Sequence, residues 1–260
     1  MVASRARSER SCYVLRVKQP HAPRTAFDRE PADWRDLQSL VRQFFLELGC
    51  RAEETKTIEL VRGKKEIDVY VEDDQVEPHA LYLCECKHWK RAVTQEVVHG
   101  FRTVVADAGA TLGFLVASGG FQSGALAASQ KTNLRLVTFE ELQSTFFQRW
   151  IKTMVRRSKP IFDALFPYWD PTGGRVPTGP WGDRERAEHR DLMERYSLVL
   201  NHDLALLDRQ PPRLFVEGRD PFSDDASAKL VVRTYRQYFD MVERGGVEAL
   251  GAFRRLHGET

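Results

Sequence analysis

Residues 81–87, Leu-Tyr-Leu-Cys-Glu-Cys-Lys, form an apolar run that ends in charged side chains. Because side chains alternate along a β-strand, Glu85 and Lys87 project from the same face, about 6.6 Å apart along the strand. Burying a charge without a partner costs several kcal/mol, so charges at the end of a buried strand need a reason. The stretch predicts a core strand over 80–87 that ends in either a structural ion-pair cluster or a functional site.

The preceding predicted strand supplies a further carboxylate. It alternates strictly, with Ile67, Val69 and Val71 on one face and Asp68 on the other. If the two strands form a hairpin, Asp68 lies close to Glu85. Mg²⁺ prefers oxygen ligands and takes one or two carboxylates with water and a substrate phosphate, and Mn²⁺ favours similar ligands. Such an ion lowers the pKa of bound water, and a neighbouring lysine can orient or deprotonate that water or offset negative charge.

Strands and helices alternate around this pair of strands. The 3–4 spacing of apolar residues predicts an amphipathic helix over 31–49. The patterns that follow predict three strands, over 57–61, 66–72 and 80–87. After them come a predicted helix over 93–109, a strand over 112–117, a Gly-rich turn at 118–120, a helix over 121–129, a strand over 134–137 and a short helix from residue 139. This order is typical of an α/β domain with a mixed β-sheet flanked by helices.

The chain is expected to have three parts: a basic N-terminal segment over 1–30, the α/β domain over 31–149, and a mainly helical C-terminal region over 150–260. Within the last part, helices are expected over 150–166, 184–207 and 226–255, with a break at Arg244-Gly245-Gly246. A loop rich in proline and glycine is expected over 167–182. The C-terminal region could contact DNA, a small ligand or a partner subunit, or only buttress the α/β domain.

Composition limits the class of protein without identifying it. Of 260 residues, 42% are hydrophobic and 29% are charged, which excludes a disordered or fibrous chain. The net charge of +2 excludes a grossly basic nucleic-acid coat but not an enzyme with a local basic patch. No apolar run approaches the roughly 18 residues of a membrane-spanning helix, so a soluble, cytoplasmic protein is expected. The four cysteines are interpreted as reduced thiols, because they lack the spacing of a zinc site.

The same residues carry a family resemblance. Asp68 and, seventeen residues on, Glu85-Cys86-Lys87 resemble the D…(D/E)-x-K core of the PD-(D/E)xK nucleases, although Ile67 replaces the leading proline. A wider ordered set resembles an Mrr-type restriction endonuclease catalytic domain: Leu48-Gly49-Cys50, Glu66-Ile67-Asp68-Val69, Glu85-Cys86-Lys87, Val93…Val97-Val98…Phe101, Gly109-Ala110, Gly113-Phe114, Gly120-Phe121-Gln122-Ser123-Gly124-Ala125 and Leu136-Val137-Thr138.

The resemblance implies a restriction-endonuclease-like fold in which Asp68 and Glu85 bind Mg²⁺ and Lys87 is the catalytic lysine. Relatives often carry a glutamate on the first helix, and the matching position here is Gln38, an auxiliary group whose amide oxygen can coordinate but supplies no charge. The neutral side chain leaves open whether the site holds one metal ion or two.

Basic side chains flank the predicted site and are expected to contact phosphates. They are Arg62, Lys64 and Lys65 on the turn before the Asp68 strand, and Lys90 and Arg91 after Lys87. The expected function is a metal-dependent endonuclease that hydrolyses DNA phosphodiester bonds in restriction or phage defence, acting as a homodimer or with a defence-system partner protein. Two alternatives stay open: a nucleic-acid-binding module with a weakened or inactive site, and a nuclease for RNA or single strands.

Overall fold

A computed structural model describes residues 24–61, 63–170, 181–200 and 216–259. The elements in chain order are α1 (Trp34–Glu47), β1 (Arg51–Leu60), β2 (Gly63–Asp73), β3 (Ala80–Lys87), α2 (Gln95–Asp107), β4 (Leu112–Ala117), α3 (Ser123–Ser129), β5 (Leu134–Val137), α4 (Phe139–Trp169), α5 (Asp183–Arg195), α6 (Ser197–Leu200), β6 (Val216–Arg219), β7 (Lys229–Val232) and α7 (Tyr235–Leu256). None of the described helices is both long and apolar enough to cross a membrane.

Five strands form a mixed sheet in the order β1-β2-β3-β4-β5. Neighbours β1, β2 and β3 pair antiparallel, whereas β3, β4 and β5 pair parallel. Strand β3 therefore lies at the centre of the sheet and belongs to both halves. The expected α/β fold, with a mixed sheet flanked by helices and a mainly helical C-terminal region, is confirmed.

Helices cover both faces of the sheet. On the α1 face, Val69, Cys84 and Phe114 pack in one hydrophobic cluster with residues of α1, α4 and α7. On the α2 face, Leu83 and Leu115 pack in a second cluster with residues of α2 and α3. Since both faces are covered, any polar site on the central strands has to lie at an end of the sheet.

Helix α1 begins at Trp34, three residues after the predicted start. Asp33 is its N-cap and accepts a hydrogen bond from the backbone N–H of Asp36 at 2.9 Å, which satisfies a free donor of the first turn. Leu37, Val41 and Phe44 are fully buried along one stripe of the helix. Just beyond the last turn Gly49 takes φ +86°, a conformation that glycine adopts without strain.

Helix α4 joins two predicted helices, the short one from residue 139 and the one over 150–166, into one. Its N-terminus is a capping box, in which Thr138 and Glu141 bond each other's backbone N–H, and it continues for 31 residues through Pro160 and Pro167. The expected boundary at 149/150 falls inside this helix, so the domain division stays a prediction. Trp150 of α4 packs on Phe239 of α7, with ring centroids 5.5 Å apart.

Three expectations for the C-terminal region are wrong, the first of which is that the loop begins at residue 167, since α4 continues to Trp169. Residues 229–232 form strand β7, which pairs with β6, and only 235–256 of the predicted helix over 226–255 is helical. Helix α7 also runs without a break through Gly245 and Gly246. An added Cβ at these two positions would lie 2.9 Å from the Val199 side chain and 3.0 Å from the Ile161 side chain. The glycines thus permit close packing. Residues 201–207, 171–180 and 1–23 of the predicted segments lie outside the described residues.

The cysteines behave as expected. Cys50, Cys84 and Cys86 are buried free thiols, while Cys12 lies outside the described residues. Burial raises the pKa of the Cys50 thiol to about 12, so it is protonated at neutral pH. These three cysteines are therefore reduced thiols that pack in the core.

Candidate active site

The hairpin of β2 and β3 brings Asp68 beside Glu85. Their antiparallel register pairs Val69 with Cys84, and the ladder of paired residues ends there. One position further, the Asp68 carboxylate Oδ2 accepts a hydrogen bond from the backbone N–H of Cys86 at 2.7 Å. The middle of β2 therefore meets the end of β3, and Asp68 lies beside Glu85 as the hairpin hypothesis expected.

Strand β1 is distorted at the same level. The register pairs Glu54 with Val69 and Lys56 with Ile67, which leaves Thr55 opposite Asp68. Thr55 has φ +54°, a left-handed conformation that is uncommon for a β-branched residue and that tends to occur near functional sites. The sequence carries no signal for it, because a threonine in a strand pattern predicts regular backbone.

Residues of β1 and β2 on the two sides of this level pack on different faces of the sheet. Ile67 is buried in the cluster of the α2 face, whereas Val69 and Val71 are buried in that of the α1 face. The expectation that all three share one face is therefore wrong for Ile67. Ala52 and Ile58 of β1 differ in the same way. In both strands, the residues before and after this level therefore pack on opposite faces of the sheet.

Glu85 and Lys87 form an ion pair on the central strand. The Lys87 Nζ lies 2.5 Å from Glu85 Oε1, and the two side chains are only 18% and 14% exposed. Lys87 Nζ is also 5.5 Å from the centre of the Trp89 ring, within the range of a cation–π contact. The ammonium thus has an anionic partner on one side and an aromatic partner nearby.

The Asp68 carboxyl has a raised pKa. Burial is the main cause, and the negative charge of Glu85 raises the pKa further. The backbone N–H of Cys86 and the charges of Lys87 and Lys65 oppose the shift without cancelling it. A half-buried carboxyl beside a second carboxylate is an arrangement that a cation would stabilise.

The donor set suits a hard divalent cation with few protein ligands. Among the described residues there is no group of three or more His, Cys, Asp or Glu side chains that could hold a metal ion, so an all-protein cage is absent there. Asp68 and Glu85 offer two carboxylates, which is the number that Mg²⁺ uses when water and substrate phosphate complete its octahedron. The residues therefore fit Mg²⁺ better than Zn²⁺, which favours nitrogen and sulfur ligands.

Gln38 is half-buried on α1. Within the described part of the chain, no hydrogen bond or ion pair joins it to Asp68, Glu85 or Lys87, so its auxiliary role stays a prediction. The start of α1 does lie at this end of the sheet, because Nε2 of His88 is 3.2 Å from the carbonyl oxygen of Pro31.

The flanking basic residues differ in their surroundings. Lys64 and Lys65 belong to strand β2 and not to a turn, which corrects the sequence expectation, and Lys64 is paired with Glu59 of β1 at 3.3 Å. Lys65 is exposed, and its charge partly opposes the rise in the pKa of Asp68. Lys90 and Arg91 are exposed in the loop after β3. Arg62 lies outside the described residues.

Two loops at this end of the sheet are bonded to each other. The backbone N–H of Ser118 donates to the carbonyl of Lys87 at 3.1 Å, and that of Val93 donates to the carbonyl of Gly120 at 2.9 Å. The Gly-rich turn after β4 thus fixes both ends of the loop that follows the predicted catalytic lysine. Sequence reasoning found the turn but not this contact, which depends on the parallel pairing of β3 with β4.

Part of this chain is similar to known proteins. Residues 30–146 match the family model described as "Restriction endonuclease", the Mrr catalytic domain. A solved structure described as a protein of unknown function, AF1548, is similar with a TM-score of 0.38 and 13% sequence identity, over 51% of this chain and 84% of that chain. No curated protein matches the chain.

The matched segment contains β2, β3 and the three residues of the predicted catalytic core. The resemblance to an Mrr-type restriction endonuclease catalytic domain is thereby confirmed for this part of the chain. Residues 30–146 are thus similar to the catalytic domain of Mrr-type restriction endonucleases, a family of nucleases.

Proposed function

We propose that the protein is a metal-dependent endonuclease that hydrolyses phosphodiester bonds of DNA, in the cytoplasm and in restriction or phage defence. One observation carries the proposal: Asp68, Glu85 and Lys87 converge at one end of the sheet, with Asp68 bonded to the backbone between the other two. A structural ion pair needs only Glu85 and Lys87, whereas here a second carboxylate, that of Asp68, lies beside them.

Asp68 and Glu85 would hold Mg²⁺, and Mn²⁺ would substitute for it. When bound, the ion supplies a Lewis acid and a water of lowered pKa. Lys87, held against Glu85, is within reach of the same place and would orient the attacking water or offset charge on the scissile phosphate. Gln38 would be a neutral auxiliary group near the start of the domain.

The exposed cations around the site would bind the DNA backbone. Lys65, Lys90 and Arg91 are exposed and have no carboxylate partner within ion-pair distance among the described residues, whereas Lys64 is already paired with Glu59. Such contacts give affinity that is independent of sequence and falls with salt. Arg62 belongs to the same proposed set on the sequence argument alone.

The test is cleavage of a supercoiled plasmid with Mg²⁺ or Mn²⁺, and with EDTA, for the wild type and for Asp68→Ala, Glu85→Ala and Lys87→Ala. Each substitution is expected to lower cleavage at least a hundredfold without lowering DNA binding in proportion. The matched control is Asp163→Asn, which removes an exposed carboxylate from α4 and should leave cleavage unchanged. Cleavage that survives all three site substitutions would contradict the proposal.

The same samples test the alternatives and the biological role. Side-by-side duplex DNA, single-stranded DNA and RNA substrates separate a DNA nuclease from an RNA or single-strand nuclease. Salt-dependent binding without any metal-dependent cleavage would favour the binding module instead. Plaque counts on cells that carry the wild type or Glu85→Ala test the defence role, and equal counts would argue against it.

A further inference from the structure

We propose that Trp89 is a positioning residue for Lys87, and that the turn over residues 118–120 is the support that holds Trp89 in place. The inference rests on the proposed function, in which Lys87 acts on the attacking water. It adds a residue to the site and gives the Gly-rich turn a role.

The Lys87 ammonium has two described partners, and they differ in kind. Glu85 Oε1 lies at 2.5 Å and the centre of the Trp89 ring at 5.5 Å. A lysine head sits on a flexible four-carbon stem, so a single partner leaves its position poorly defined. Glu85, when it shares its charge with a cation, attracts the ammonium less. The Trp89 ring is uncharged and keeps its attraction, so it can hold the ammonium at the site in both conditions.

The Trp89 ring is positioned by the hydrophobic cluster of the α2 face and by the turn over residues 118–120. Trp89 is half-buried and packs against the hydrophobic cluster of the α2 face. An added Cβ at Gly119 would lie 2.4 Å from the carbonyl oxygen of Trp89 and 2.6 Å from that of Arg91. These are backbone atoms, which cannot move aside as the end of a flexible side chain can. Only glycine at position 119 lets the loop lie this close to the turn.

A second cation uses the same ring. The guanidinium carbon of Arg91 lies 5.4 Å from the centre of the Trp89 ring. The ring therefore also orders an exposed side chain that is proposed to contact the DNA backbone. Replacing the aromatic ring is expected to act on kcat through Lys87, with a smaller effect on KM through Arg91.

The kinetic test compares Trp89→Phe with Trp89→Leu in the full chain, under conditions in which the wild type cleaves DNA. Trp89→Leu keeps an apolar side chain but removes the π face, and is expected to lower kcat about tenfold with KM changed less than about threefold. Trp89→Phe is expected to retain kcat within about threefold. Equal loss in both variants, or a loss confined to KM, would show that the ring only fills space or binds DNA.

The support is tested with two glycine substitutions. Gly119→Ala is expected to lower kcat about as much as Trp89→Leu, because the loop has to move. Gly100→Ala on α2 is the matched control, since an added Cβ there meets nothing within 4 Å. Equal kcat for the two alanine variants would overturn the role of the turn.

A readout without cleavage separates this inference from the proposed function. In protein with ¹³C-labelled lysine, the Lys87 ε-methylene protons are expected upfield of the other lysines, shifted by the ring current of Trp89, and Lys87→Arg identifies the signal. The shift should persist in Trp89→Phe and vanish in Trp89→Leu. A shifted signal in a protein that does not cleave DNA would refute the proposed function while the positioning contact stands. Identical Lys87 signals in wild type and Trp89→Leu would refute the contact.

Discussion

Replacing Asp73 by asparagine would leave the guanidinium of Arg149 without its buried counter-charge. Asp73 ends β2, and its side chain is completely buried. It accepts hydrogen bonds from Arg149 Nη1 at 2.5 Å and Nη2 at 2.8 Å, from the Tyr82 hydroxyl at 3.1 Å and from the backbone N–H of Gln75 at 3.1 Å. Asparagine has nearly the same shape, so the substitution removes mainly the charge.

The expected loss of stability is large for one residue. Removing one partner of a buried ion pair costs about 3–5 kcal/mol. Arg149 is 25% exposed and still donates to the carbonyl of Leu48, so a value near the lower end, about 3 kcal/mol, is expected. At 2–4 °C per kcal/mol for a chain of this size, Tm should fall by roughly 6–12 °C. Asp163→Asn breaks an exposed pair and should lower it by less than about 2 °C.

The dependence on pH has a defined sign. Burial raises the pKa of Asp73, but the hydrogen bonds from Arg149, Gln75 and Tyr82 outweigh burial, and the pKa is lowered overall. The carboxylate therefore stabilises the fold above its unfolded pKa of about 3.9. That contribution is lost as pH falls through the lower folded pKa. The difference in urea midpoint between wild type and Asp73→Asn should be steady from about pH 7 to 5 and shrink below about pH 4.

The assay is urea and thermal unfolding, followed by circular dichroism, of wild type, Asp73→Asn and Asp163→Asn. Equal Tm values for the two variants at pH 7 would show that Asp73 carries no more weight than a surface charge. A difference between wild type and Asp73→Asn that grows in acid would show that the sign is wrong.

Three further outcomes are expected. Replacing Lys65 and Lys90 together by alanine should reduce the slope of log Kd for DNA against log salt by about two, measured by fluorescence anisotropy; an unchanged slope would remove both from the DNA contacts. Thr138→Ala should cost about 1 kcal/mol in urea unfolding, because the capping box of α4 is lost, and no measurable cost would discount the cap. The fragment 30–150 should aggregate in size-exclusion chromatography, because it exposes Trp150; a stable monomer would contradict this.

The sequence predicts those strands whose bounds are set by the residues next to them in the chain. The bounds of β3 over 80–87 and of β4 over 112–117 match the structure, because a short apolar run between turn residues has few other conformations available. The convergence of Asp68 with Glu85 also followed from sequence, since a hairpin brings the start of one strand to the end of the next.

Contacts between distant segments could not be predicted in the same way. Gly245 and Gly246 look like a helix break, yet they let α7 approach Val199 and Ile161, and packing outweighs their low helix propensity. Strand β7 was missed because its partner β6 lies outside the predicted helix and no two-residue hairpin turn joins them.

Within the site, the features that depend on strand register could not be predicted from the sequence either. The pairing of Lys64 with Glu59 follows from the alignment of β1 with β2, which the turn residues do not specify. The left-handed Thr55 opposite Asp68 is a response to the surrounding sheet and leaves no trace in composition. The bond from the Cys86 backbone to Asp68 is of the same kind.

The unbroken helix α4 constrains how the gene for such a chain can change in length. At 1.5 Å and about 100° per residue, one residue inserted just before Trp150 would rotate everything that follows by about 100° and advance it by about 1.5 Å. Trp150 and the residues after it would then point away from α7. Insertions or deletions of whole turns are tolerated best, about seven residues at a time. A flexible linker imposes no such rule, so homologous chains that keep both parts should conserve the length of α4 more closely than its surface residues.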